Sequence, residues 1–214
     1  MKTDAVENVF PLLVLNDIVV FPHTIIPLLI ENEKAAQWVR ASYDAAEDIL
    51  VCCRKNPDRE EITEENLYQT GTLCSILQMI KLSDGSLKMF IEGRSRHHIR
   101  RLLPHKDAIF VETERSLARL HDGSKVEALR RLVVDAFQGY CESSRIDVHS
   151  EMIKKIKSKE DPGLIADIIV SYLEMISTKK QELLEDALID SRLDRIFEYL
   201  QAEIEIAHIQ ATLK

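Results

Sequence analysis

The chain has 214 residues, the length of one large domain or two small ones, and 45% of them are hydrophobic and 30% charged. That balance excludes a disordered or fibrous chain, and the six glycines and six prolines argue against a loop-rich one. The net charge of −8 divides evenly about residue 117, so neither half is a basic nucleic-acid arm, and the acidity favours solubility without naming a partner.

Short apolar runs at 10–15, 18–21 and 25–30 read as strands, the last two separated by Pro22-His23. Between residues 9 and 30 the only charge is Asp17. Pro11, Pro22, Pro27 and the central Asn16-Asp17 pair would break a spanning helix, so no membrane partner is expected. The acidic start of the chain leads to no small-residue cleavage site and is not read as a signal peptide. Asn32 is placed to cap a helix over 33–48 whose stripe carries Ala36, Val39, Tyr43 and Ala46. Residues 50–53 form a buried strand in which Cys52 and Cys53 act as small hydrophobes. With Cys74 and Cys141 they make no C-x-x-C pair, which fits a reducing cytoplasm. A polar loop at 56–66 follows. The clearest element is a hairpin, 72–82 and 86–92, joined across Ser83-Asp84-Gly85, and 109–113 adds a last strand.

After Asp122-Gly123 the hydrophobic period becomes helical. Residues 125–142 carry Val126, Leu129, Leu132, Val133, Ala136 and Tyr140 at that spacing. Asp161-Pro162 opens the next helix, with Asp as cap and Pro at the first helical position. A short helix spans 179–187. Asp190-Ser191 opens the longest one, in which Leu193, Phe197, Leu200, Ile204, Ala207 and Ala211 alternate at four and three. No Gly, Asn or Pro closes it, and it reads as cut mid-helix at Lys214.

Several stretches together resemble one family. The run from Phe10 to Pro22, followed by Pro27-Leu28, is similar to the opening of the amino-terminal domain of the Lon protease family. Leu67-Tyr68-Gln69-Thr70-Gly71-Thr72, the 76–85 hairpin and Ile91-Glu92-Gly93-Arg94 resemble its central strands. Asp161-Pro162, Ala166-Asp167-Ile168, the run from Lys180 to Glu185 and Arg192-Leu193 resemble its helical half. Asn16 stands where the family usually has Arg, and Glu31-Asn32 where it has a Gly-containing turn. The resemblance implies an α+β chain: a β-rich PUA-like lobe at 1–117, a helical bundle at 118–188, and the start of a long helix at 189–214. It also implies a non-catalytic region that captures unfolded or degron-bearing proteins and supports homo-hexamer assembly of an ATP-dependent serine protease. ATP and Mg are expected only in a missing ATPase module.

The residues themselves offer no engine. No two glycines stand five apart, which excludes the G-x-x-x-x-G-K-[ST] cradle for phosphates. Ser177-Thr178-Lys179-Lys180 fits S-x-x-K but lacks companion motifs, and Ser177 reads as a helix-end residue. His97 and His98 are neighbours on a strand and point apart, and His149 and His208 are isolated, so no metal is assigned. The basic stretch from Arg94 to Arg101, with His105 and Lys106 after it, reads as a solvated strand edge rather than a nucleic-acid patch.

Capture of unfolded chains requires accessible apolar groups with adaptable walls. The loop residues Phe21, Pro22, His23, Ile25, Ile26 and Pro27 are one candidate surface. The hairpin is another: Leu73, Leu77 and Met79 on one face, Cys74, Ile76, Ile80 and Leu82 on the other, with Met79, Ile80 and Met89 as candidate contacts. Two rivals stand beside this reading: a freestanding interaction module without a protease, and an RNA-binding PUA-like protein.

Overall fold

The structure, a computed structural model, describes residues 8–105, 108–120, 123–144 and 150–213. The expectations placed on Lys106, Asp122 and His149 lie outside the described residues. The described chain is α+β, a strand-built portion followed by helices that end in a long one. It divides into two units: Met1–Leu117 with Glu174–Glu185, and Ala118–Leu173 with Asp186–Lys214.

The first unit contains β1 (Val9–Leu15), β2 (Ile25–Ile30), α1 (Glu33–Asp44), β3 (Ile49–Cys53), β4 (Thr70–Lys81), β5 (Leu87–Pro104) and β6 (Ile109–Arg115). The strand order is β2-β5-β4-β3-β1-β6, and β5 also pairs with β6. The pairing therefore closes a ring of β5, β4, β3, β1 and β6, while β2 remains an appended edge strand. The 18-residue β5 makes this possible: its first part pairs with β2 and β4, its last part with β6.

Every residue of β3 is buried, as its unbroken apolar sequence requires. Ile49 and Val51 join one apolar cluster with Leu13, Val39, Met89 and Ile91; Leu50 and Cys52 join another with Leu12, Leu73 and Val111. Burial pushes the Cys52 thiol up to about 12 and the Cys53 thiol to about 11, so both are inert packing groups.

Three local expectations are corrected. Residues 18–21 form no strand, because side chains satisfy their peptide groups: Thr72 Oγ1 donates to the Val20 carbonyl (2.6 Å) and Thr24 Oγ1 to that of Phe21 (2.6 Å). The first helix stops at Asp44 rather than 48, since Ala46 takes a positive φ of 54°. Asn32 caps its start as expected, accepting from the Ala35 N–H. On β4, the bulge at Ile76/Gln78 breaks the alternation that assigned its faces, so Ile76 and Met79 both pack on the core.

The fourth correction concerns α5 (Ser177–Glu185), which the sequence groups with the helical bundle over 118–188. It belongs to the strand-built unit. Gln181 Nε2 donates to the Thr70 carbonyl (2.9 Å), and the buried Arg96 donates from Nε to the Leu184 carbonyl (3.0 Å). Both bonds join α5 to a strand, which fixes the helix against β4 and β5.

The second unit holds α2 (Gly123–Ser144), α3 (Ser150–Lys157), α4 (Pro162–Tyr172) and α6 (Ile189–Thr212). The sequence reading gave no element for α3. Asp161 caps α4 by accepting from Gly163 and Leu164, with Pro162 at its first turn. Val133 and Phe137 of α2, Ile165 and Ile169 of α4, and Leu193, Ile196 and Leu200 of α6 are fully buried. Within this apolar unit Arg192 Nη1 donates to Asp167 Oδ1 at 2.7 Å, an ion pair with both side chains buried. The far end of α6 presents Ile206, Ile209 and Leu213 exposed.

Candidate functional site

Strand pairing determines which apolar residues reach the surface. On β2 the odd positions Ile25, Pro27 and Leu29 face outward, and the even ones Ile26, Leu28 and Ile30 turn to the core. The register aligns Pro27 with Phe90 of β5, and Phe90 with Gln78 of β4; one step on, Leu29 faces Lys88 and Lys88 faces Ile80. Leu77 is the extra residue of the bulge and is also exposed. The outer face of these three strands thus carries Ile25, Pro27, Leu29, Phe90, Leu77 and Ile80, with Lys88 and Gln78 among them.

The exposure is large for aliphatic side chains: Ile25 59%, Leu29 53%, Leu77 44% and Ile80 40%. Polar groups are interspersed with these side chains: Lys88 lies on β5 between Leu29 and Ile80, with Nζ 5.6 Å from the Phe90 ring centroid, and Arg94 pairs with Glu92 at 2.9 Å. Apolar side chains set among polar ones are common on protein-binding surfaces.

The expected site residues divide. His23, Ile25, Pro27 and Ile80 are exposed, and Ile26 and Met79 are half-buried on the core. Phe21, Pro22 and Met89 are buried and are withdrawn from the surface. Phe21 carries the Arg96 guanidinium 6.0 Å from its ring centroid, and Met89 faces inward because β5 alternates. Leu29 and Phe90 were missed, and Leu77 was placed on a hairpin face without being chosen as a contact. Leu29 and Phe90 follow from β-alternation once Leu28 and Met89 are known to face the core; Leu77 does not, because the bulge is silent in the sequence.

The basic stretch lies within β5: His97 and His98 are paired on both sides, Arg96 with β4 and Arg101 with β6. Its charges are matched: Arg101 pairs with Glu112 at 3.0 Å, Arg100 with Glu114, and Arg96 is buried. His97 is buried too, hydrogen-bonded to Thr113 and Ser95, and burial followed by the nearby Arg115 lowers its pKa. Among the described residues no group of three His, Cys, Asp or Glu is placed to hold a metal ion. Ser177 begins α5 and shares no described hydrogen bond with Lys180, while Lys179 pairs with Glu182. Among the described residues no helix is long and apolar enough to cross a membrane.

A sequence model described as the ATP-dependent protease La (LON) substrate-binding domain matches residues 9–202. The chain is 32% identical over 208 residues to a Lon protease of Azospirillum brasilense and 29% identical over 204 residues to that of Escherichia coli K12. These alignments cover 96% and 95% of the chain but only 25% and 26% of those proteins, so the chain spans about a quarter of their length. The solved N-terminal domain of a Mycobacterium avium complex Lon protease matches with a TM-score of 0.75 at 19% identity. That match covers 91% of this chain and 98% of that one. A Lon N-terminal domain protein from Xanthomonas campestris matches at 0.60 and 16% identity over 90% and 98%, and both likenesses show the fold. The matched domain binds substrate and is not the catalytic part, and on the strength of the match over residues 9–202 the chain belongs to the Lon substrate-binding domain family.

Proposed function

We propose that this chain captures unfolded or degron-bearing proteins for a longer, ATP-dependent serine protease, and that the outer face of β2, β5 and β4 makes the contact. The observation that carries this is the outward row of exposed Ile25, Pro27, Leu29 and Ile80, with the half-buried Phe90 among them, on a domain whose family binds substrate. Unfolded chains share exposed aliphatic and aromatic side chains, so a face that presents several apolar side chains recognises the class without reading a sequence. Covering half of one such side chain contributes about 1 kcal/mol, so a single face binds weakly. Self-association into a homo-hexamer raises the local concentration of faces and offsets that weakness.

Catalysis belongs to other parts of the full-length protein. The sequence lacks the glycine spacing of a phosphate cradle, so ATP and Mg do not fit these residues and are assigned to a separate ATPase module. The compartment proposed is the cytoplasm, in keeping with four free, buried cysteines. A role in nucleic-acid binding is not proposed, because the arginines of β5 are already matched by the carboxylates of β6.

The test is binding of a chemically unfolded protein to the 214-residue chain, read by fluorescence anisotropy. Ile25→Ser with Ile80→Ser is expected to weaken binding by roughly thirtyfold, about 1 kcal/mol per side chain. Unchanged affinity in a variant with an unchanged melting curve would remove this face from the function.

A further inference from the structure

The apolar face ends at β2, which is also the open edge of the sheet. A domain that holds extended apolar chains beside an open strand edge faces a physical problem. The bound chain can add to the sheet as another strand, and backbone hydrogen bonds then hold it in place.

The register shows which groups that edge offers. The Gly93 N–H donates to the Thr24 carbonyl (2.9 Å), so Ile25 and Glu92 form a pair without mutual hydrogen bonds. The alternation then places Ile26, Leu28 and Ile30 in hydrogen bonding with β5, and turns the backbone of Ile25, Pro27 and Leu29 to the open side. No other hydrogen bond among the described residues reaches the Ile25 or Leu29 N–H. The central position of the three is a proline. It has no N–H to give, and its ring occupies the space an incoming carbonyl would need. The two remaining donors stand four residues apart, about 13 Å along the strand.

Resting on the reading of this face as the client-binding surface, we infer that Pro27 closes the β2 edge to strand addition and so restricts captured clients to side-chain contact. Clients are then held without regard to chain direction or backbone register, and they leave without unzipping a ladder. Pro27 is in this sense a specificity-determining residue: it decides the mode of binding as well as contributing apolar surface.

The probe is a twelve-residue Leu- and Phe-rich peptide with Lys at both ends, and the same peptide N-methylated at alternate residues. N-methylation removes the donors that strand addition uses and leaves the side chains. The 214-residue chain is expected to bind both peptides within about threefold of each other. Pro27→Val is expected to tighten binding of the unmodified peptide at least fivefold and leave the methylated one unchanged. A tenfold or greater loss on methylation in the unaltered chain would overturn the inference, as would a Pro27→Val chain that gains nothing. Should Pro27→Val fail to fold, amide exchange in the unaltered chain decides the matter. The Ile25 and Leu29 amides are expected to exchange at the same rate with and without saturating peptide, and tenfold protection would overturn the inference. Ile25→Ser with Leu29→Ser separates the two claims: unchanged peptide affinity removes the face itself, and the role of Pro27 falls with it.

Discussion

The strand-built and helical units solve the problem of buried polar groups in opposite ways. In the first, polar side chains reach across long sequence separations to satisfy backbone carbonyls: Thr72 to Val20, Gln181 to Thr70, Arg96 to Leu184. In the second, the helices satisfy their own backbones, and a buried charge on α6 is met by a buried charge on α4. A sheet with an irregular entry segment leaves carbonyls without ladder partners, whereas a bundle leaves none in its interior. The contrast is measurable, because the single tryptophan, Trp38, lies on α1 in the strand-built unit, while α2 and α6 supply most of the helix. Tryptophan fluorescence and far-ultraviolet circular dichroism therefore follow different units, and their unfolding need not coincide.

The largest expected effect is in the helical unit. Asp167→Ala leaves the Arg192 guanidinium buried without its carboxylate and is expected to destabilise that unit by about 3–5 kcal/mol. Urea unfolding followed by circular dichroism should show the loss, with a smaller shift in the Trp38 signal. Replacing both partners with Leu and Met should restore most of the stability, because apolar neighbours suit that site better than a broken pair. Equal shifts in both signals would show that the two units unfold as one.

The matching break in the strand-built unit is Gly93→Ala. An added Cβ would stand 2.2 Å from the Phe21 carbonyl oxygen, a backbone atom that cannot swing aside. The expected cost is about 1–3 kcal/mol, read by Trp38 fluorescence. The Phe21–Thr24 segment leads into β2, so this variant should also weaken binding at the apolar face more than its stability loss alone accounts for. Full stability would mean that the close approach relaxes at no cost.

How far the sequence reveals each unit follows from the same contrast. Helical period and the Asp161-Pro162 start locate α4 from local residues alone, and the Asp-Gly turn locates the β4–β5 hairpin. The family resemblance was legible in contiguous motifs. What stays hidden depends on contacts distant in sequence. Nothing near 177–185 says that Gln181 will bond a carbonyl more than a hundred residues earlier, so α5 reads as part of the bundle. Likewise the 18-residue length of β5 depends on β6 arriving to pair with it, and the arginine-rich stretch looks like an edge until Glu112 and Glu114 are placed opposite. At the apolar face, Ile25, Pro27 and Ile80 were legible. Phe21 and Met89 were misplaced because burial of a large apolar side chain depends on which strand face the core takes.

Helix caps offer a smaller and symmetrical comparison. Asn32 accepts one N–H at the start of α1, and Asp161 accepts two at the start of α4. Alanine at either position is expected to cost about 1 kcal/mol, with the larger value at Asp161. Asn32→Ala should move only the Trp38 transition and Asp161→Ala only the circular dichroism transition. Either variant moving both signals would argue for a single cooperative structure.

Acid separates the units by where each begins to weaken. The Thr113 hydroxyl donates to the Asn8 carbonyl (3.2 Å), so it accepts from Nδ1–H of His97, and Nε2 accepts from Ser95. Burial, and then Arg115, hold the His97 pKa below its ordinary value of 6.5, which means folding favours the neutral ring. The stability this contributes is complete above about pH 6.5 and is lost as pH falls from there through the folded pKa. On α2 the contrasting group is Glu127, whose bonds to Arg130 and then Arg131 hold its carboxyl down to about 2. Its contribution is present above its unfolded value of 4.5 and is lost only as pH falls toward 2. Between pH 7 and 5 the Trp38 transition should therefore move to lower urea while the circular dichroism transition holds. His97→Gln keeps a hydrogen-bonding side chain but cannot titrate, and it should flatten the first slope without altering the second. A slope that survives His97→Gln would place the acid sensitivity of the strand-built unit on some other group.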